Sequence, residues 1–247
     1  MLDLVARNRI HLTMNSDSPR KMPFLSSGMD LAARFVPSTW NELELLLPDY
    51  LARRNSISAA RNVHSVRIQH AFLIEAGDSE IWFLIVRADL HEGIPRTYSI
   101  PLTLVPEAML DDLLLPTDEC VLAHLPDPTP GALCYAMAVQ ECCESLVQTI
   151  QLGRTYRSGE FEIAAISLSE ETDAEDDFES AISVRLDERH TSIEFGESYI
   201  LKMYHRIEIR PRDSADAGSV PILGYLEMRS PNGERAVLAE LHKFLAE

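Results

Sequence analysis

Between His190 and Arg206 the chain reads HTSIEFGESYILKMYHR, and its apolar positions recur at every second residue. Ile193 and Phe195 fall on one face of the first run and Tyr199, Leu201 and Met203 on one face of the second, with Gly196-Glu197-Ser198 between them. That period of two predicts a β-hairpin. Lys202 lies between Leu201 and Met203, so its ammonium is predicted on the face opposite the core. Three earlier runs, VRIQHAFLIEA (66–76), EIWFLIVRADL (80–90) and TYSIPLTLV (97–105), are rich in β-branched and aromatic residues and are separated by Gly77-Asp78 and Glu92-Gly93. They predict an antiparallel meander. Further strands are expected over 157–169, where Phe161, Ile163 and Ala165 alternate, and over 222–230.

Helical spacing takes over elsewhere. Trp40, Leu43, Leu46, Leu47 and Tyr50 follow a capping box made by Thr39 and Glu42. A longer helix is predicted over Ala132–Leu152, closed by Gly153, with Cys134, Met137, Ala138, Cys142, Leu146 and Ile150 forming its apolar stripe. Shorter helical segments are expected at 106–115 and 234–247. Residues 1–36 read as an irregular extension, and the three prolines of LPDPTPG (125–131) mark a boundary between two structural units. The expected organisation is thus an extension over 1–36, a first domain over 37–127 and a second over 128–247.

Composition narrows the function classes. With 46% apolar and 25% charged residues the composition is that of an ordinary globular protein, and a formal charge of −17 argues against nucleic acid or anionic membrane as partners, since both need clustered Lys and Arg. No apolar run approaches the length needed to span a bilayer, and a cytoplasmic setting is expected. The four cysteines, Cys120, Cys134, Cys142 and Cys143, lack C-x-x-C spacing and read as reduced core thiols. The acidic run SEETDAEDDFES (169–180) reads as a solvated loop, since no spacing gathers its carboxylates around Mg²⁺. His64, His70 and His205 show no metal-ligand spacing either.

The order LPDYLARR, SVRI, EIWFLIV…YSIPLTL, LCYAMAVQECCESLVQTIQLGRTYR, SVRL…TSIEFGESYILKMYHRIE and VPILGYLEMR resembles the N-terminal half of bacterial maltokinases, including those fused to trehalose synthase. The resemblance runs from about residue 40 to residue 247. It implies an α+β fold: an antiparallel-sheet cap domain packed with helices, then a kinase N-lobe-like antiparallel sheet lacking the C-lobe. The family transfers phosphate from ATP to maltose, giving maltose 1-phosphate in trehalose and glycogen metabolism. Carried over by residue, Lys202 matches the strand lysine that steadies ATP phosphates, and His190, Thr191 and Ser192 match a hairpin turn that approaches them. A compact ammonium, short hydroxyls and turn amides suit that task, although this turn carries Glu188 and Arg189 and no glycine.

The departures from the family weigh against catalysis by this chain. The acidic helix that pairs with the lysine is replaced by IEIRPRDSADAGS, where Asp213 or Asp216 are the available acids, and the aromatic cap segment reads Asn55-Ser56-Ile57-Ser58-Ala59-Ala60-Arg61. Ala88-Asp89-Leu90-His91 and Asp177-Phe178-Glu179 imitate catalytic-loop and metal-binding motifs, but both precede Lys202, against the family's order. Neither a catalytic nor a metal-binding residue is therefore assigned. Two classes remain open. One is a non-catalytic interaction or regulatory module whose partner is a kinase C-lobe chain, a trehalose synthase or a second copy. The other is the N-terminal subunit of a split maltokinase that binds ATP and Mg²⁺. Both lead to an exposed apolar surface near Leu226 and Met228.

Overall fold

The computed structural model describes residues 40–54, 62–76, 79–125, 130–168, 182–208 and 222–244. Its architecture is α+β and mainly antiparallel, with two sheets and a few helices. Helix α1 (Trp40–Arg53) precedes three strands, β1 (Val63–Ala76), β2 (Ser79–Leu90) and β3 (Arg96–Pro106), which form the expected meander. A 3₁₀ turn over Glu107–Asp112 takes the place of the helix expected at 106–115, followed by the single-turn helix α2 (Thr117–Cys120). Strands β4 (Val121–Leu125) and β5 (Gly131–Tyr135) complete a five-stranded sheet of order β1-β2-β3-β5-β4.

The proline-rich stretch 125–131 thus connects two neighbouring strands of the first sheet, and the change of sheet comes after Tyr135 rather than at 127/128. The helix expected over Ala132–Leu152 is correspondingly shorter. Gly131–Tyr135 is a strand, Ala136–Ala138 a 3₁₀ turn, and α3 covers Gln140–Gln151. A run buried at every position carries no amphipathic period, so tertiary pairing decides its state. Here β5 is claimed by β3 on one side and β4 on the other.

The second sheet contains β6 (Thr155–Ser158), β7 (Phe161–Ser167), β8 (Ile182–Leu186), β9 (His190–Phe195), β10 (Tyr199–Tyr204), β11 (Ile222–Arg229) and β12 (Arg235–Lys243). Their order is β6-β7-β11-β12-β10-β9-β8. The segment 234–247, expected to be helical, is instead the strand β12 as far as Lys243, paired with β11 and β10. Alanine, leucine and glutamate favour helix, but two waiting backbone edges outweigh a propensity preference of a few tenths of a kcal/mol per residue.

Two cores hold these layers together. On one face of the first sheet, Leu43, Leu47, Tyr50 and Leu51 of α1 pack against Ile68, Leu84, Val86 and Ile100. On the other face, Phe72, Ile74, Phe83 and Ile85 meet α3, whose Cys142, Cys143, Leu146 and Ile150 also touch the second sheet. Each fully buried side chain of this size contributes about 1.5–3 kcal/mol. Gly224 of β11 permits the close approach: a Cβ there would lie 2.5 Å from Cγ2 of Ile150 and 2.6 Å from the carbonyl oxygen of Ile166. Leu226 and Met228 face this interior and are buried, so these two residues do not supply the exposed apolar surface expected there. Among the described residues, no helix is long and apolar enough to cross a membrane.

Candidate functional site

The β9–β10 hairpin forms as the alternation predicts. Phe195 pairs with Tyr199, Ile193 with Leu201, Ser192 with Lys202 and His190 with Tyr204, while Gly196 adopts φ 52° in the turn. On the far side β10 pairs with β12, which places Lys202 opposite Glu240. Leu201, Met203 and Ile193 are buried, whereas Lys202, Ser192 and His190 are only partly covered. The polar face of the second sheet therefore carries His190, Ser192, Lys202, Tyr204, Glu240 and His242.

Glu240 is the organising group of this face. Its Oε2 accepts a hydrogen bond from the Tyr204 hydroxyl at 2.8 Å and lies 3.1 Å from Nε2 of His242. The His242 hydrogen bond, reinforced by that from Tyr204 and by the positive fields of His242 and Lys202, holds the carboxyl below its ordinary range against the opposing effect of burial. Lys202 makes no ion pair within 4 Å among the described residues. Its field nonetheless reaches His190, whose protonation is disfavoured first by burial and further by Lys202 and Arg189, with Asp187 and Glu240 acting in the opposite direction.

The residues matched to a phosphate-approaching turn are not in a turn. His190, Thr191 and Ser192 open β9, and the turn itself is Asp187–Arg189. Oδ1 of Asp187 accepts the amides of Arg189 at 3.0 Å and His190 at 3.4 Å, while Oδ2 lies 3.2 Å from Nε2 of His190. A side-chain carboxylate thus closes the glycine-free turn and occupies two of the amides that a phosphate would use. Alternation then separates the predicted set: His190 and Ser192 share the face of Lys202, and Thr191 points to the core.

Thr191 belongs to a buried polar joint between the sheets that sequence reasoning missed. Its Oγ1 lies 2.9 Å from the Tyr135 hydroxyl and 2.7 Å from Nε2 of His205. Arg54, 2% exposed, sits just past α1 with its guanidinium 3.8 Å from the Tyr135 ring centre, and reaches the Tyr50 hydroxyl at 3.4 Å and His205 Nε2 at 3.5 Å. Burial chiefly, with the charge of Arg54 and then His190, pushes the His205 pKa well below its usual value against a smaller opposing effect of the Glu188 backbone. The imidazole is therefore neutral, and because the Arg54 guanidinium that approaches Nε2 can only donate, Nε2 is the acceptor. The proton order follows: Tyr135 donates to Thr191, and Thr191 donates to His205. Backbone bonds beside the joint tie the sheets together, from Ser99 N to His205 O at 2.9 Å and from Ile207 N to Thr97 O at 2.9 Å.

No protein-family profile matches this chain, and no curated protein matches it. The remaining sequence candidates are placed by structure alone. Asp89 accepts hydrogen bonds from the Ser65 hydroxyl and Arg87 at the end of β2, a structural task. All four cysteines are buried thiols outside any disulfide, and burial raises the thiol of Cys120 to about 11 and those of Cys134 and Cys143 as well. Residues 1–36, Thr39, the segment Asn55–Arg61, the acidic run 169–180 with Asp177-Phe178-Glu179, and Asp213 and Asp216 lie outside the described residues.

Proposed function

We propose that this chain is a non-catalytic binding module related to the N-terminal half of maltokinases, working with a protein partner rather than phosphorylating maltose itself. The observation that carries this reading is the state of the β8–β9 turn. Its amides at 189 and 190 are directed to Asp187, and Thr191 is committed to the joint, so the resources of a phosphate cradle serve the fold instead. The partner classes are a kinase C-lobe chain, a trehalose synthase or a second copy of this chain. A second reading, the ATP-binding subunit of a split maltokinase, is favoured by one feature. Lys202 is partly accessible, beside Ser192, and Glu240 opposite it is already engaged by Tyr204 and His242.

Calorimetric titration of ATP with Mg²⁺ into the purified chain and into Lys202→Ala separates the two. The module reading expects no heat that depends on Lys202 and no maltose 1-phosphate when maltose and ATP are supplied. Saturable binding lost in Lys202→Ala would replace it with the split-kinase reading, and maltose phosphorylation by the chain alone would overturn it. Sedimentation across a concentration series tests the second-copy partner; a monomer at every concentration removes that class.

A further inference from the structure

We propose that His64 and His91 form a binding site for a late first-row divalent cation, Zn²⁺, Ni²⁺ or Cu²⁺, at the open end of the β1–β2 ladder. The local backbone places both rings there. Val63 pairs with Leu90 and Ser65 with Asp89, which leaves His64 as the extra residue of a β-bulge. Bulges redirect a side chain that a regular strand would hold in alternation. His91 follows the last paired residue of β2 and is fixed by its own amide, which donates to the Asn62 carbonyl at 2.8 Å. Both side chains are exposed, so a cation can reach them without opening the fold.

The ring geometry fits coordination. The ring centres are 4.9 Å apart and the planes are inclined by 54°. With metal–nitrogen bonds of about 2.1 Å, each ligating ring is centred about 3.2 Å from the metal, so two rings on adjacent positions have centres about 4.5–5.2 Å apart. The inclination lies between the stacked and perpendicular arrangements that rings adopt for their own sake. Imidazole nitrogen suits zinc, nickel and copper, and the formal charge of −17 raises the local concentration of any cation. Among the described residues no group of three His, Cys, Asp or Glu side chains converges, so water completes the coordination and binding is reversible rather than structural.

The test uses the full chain with Cu²⁺ followed by electron paramagnetic resonance, and Zn²⁺ in competition with a chromophoric chelator. The proposal expects a signal from two coordinated imidazole nitrogens. It also expects His64→Ala and His91→Ala each to weaken binding by about tenfold or more, as removal of one of two ligands should. His70→Ala, at a half-buried position against Phe161, leaves binding unchanged. Circular dichroism of each variant shows that the fold is retained, since both ligands are exposed. Absence of saturable binding at millimolar metal, or affinities in both alanine variants within twofold of the parent, would reduce the pair to ring packing and overturn the site.

Discussion

Replacing Thr191 with valine keeps the volume of a fully buried side chain and deletes only the hydroxyl that links Tyr135 to His205. The Tyr135 hydroxyl, itself buried, loses its acceptor, whereas His205 Nε2 keeps the longer approach of Arg54 at 3.5 Å. One orphaned hydroxyl and one weakened acceptor give an expected loss of about 2–3 kcal/mol, from about 1–3 kcal/mol per buried polar group left unpaired. Tyr135→Phe should cost less, about 1 kcal/mol, because Thr191 still donates to His205 after the phenol is gone. In the Tyr135→Phe background the orphan no longer exists, so Thr191→Val should cost about 1 kcal/mol and the cycle should close with a coupling of about 1–2 kcal/mol. Urea unfolding at pH 7.5 of the parent, both single variants and the double variant measures each term, provided that the slopes agree. A Thr191→Val loss below about 0.5 kcal/mol, or additivity within about 0.3 kcal/mol, would refute the proton order assigned to the joint. The same variant separates two roles for Thr191, since a phosphate ligand would alter nucleotide binding and leave stability nearly unchanged.

The depressed pKa of His205 also sets a pH dependence. Below the ordinary histidine value the unfolded chain takes up a proton that the folded chain refuses, so this contribution is complete above about pH 6.5 and declines toward the folded pKa, with a slope of at most about 1.4 kcal/mol per pH unit. His70 and His190, shifted the same way, add to the decline, and unfolding between pH 7.5 and 5.5 should show a shallower slope in His205→Gln than in the parent; equal slopes would contradict the assignment. Gly224→Ala should destabilise by about 1–3 kcal/mol, as overpacking does, because the added Cβ would meet Cγ2 of Ile150 and the carbonyl oxygen of Ile166. A thermal midpoint unchanged by Gly224→Ala would show that β11 and α3 separate more easily than their packing implies.

Sequence pattern revealed the elements whose two faces differ. The β9–β10 hairpin carries a period of two because one side of it is less buried, and Lys202 could be assigned its face from its neighbours alone; the β1–β3 meander, whose β2 and β3 are covered on both faces, was legible instead from β-branched and aromatic runs set between turn residues. The pattern failed in two other segments. Gly131–Tyr135 has no polar phase, and the residues of β12 satisfy a helical spacing as readily as the strand the sheet imposes. The second misreading concealed part of the site. As a strand, β12 places Glu240 opposite Lys202, a relation that no helical reading of the same residues contains. The Arg54–Tyr135–Thr191–His205 joint was beyond reach for another reason. Its members come from four separate stretches of chain, and no local spacing brings them together.

The position of β12 has a consequence for how the protein is made. It is synthesised after the other described strands of the second sheet, yet it lies between β11 and β10 and joins the β6-β7-β11 group to the β10-β9-β8 group. Until it emerges from the ribosome, each group presents a bare backbone edge. Any pairing made within the two groups before residues 235–243 are delivered leaves those two edges open to an extended peptide, which is when the protection a chaperone would give matters most.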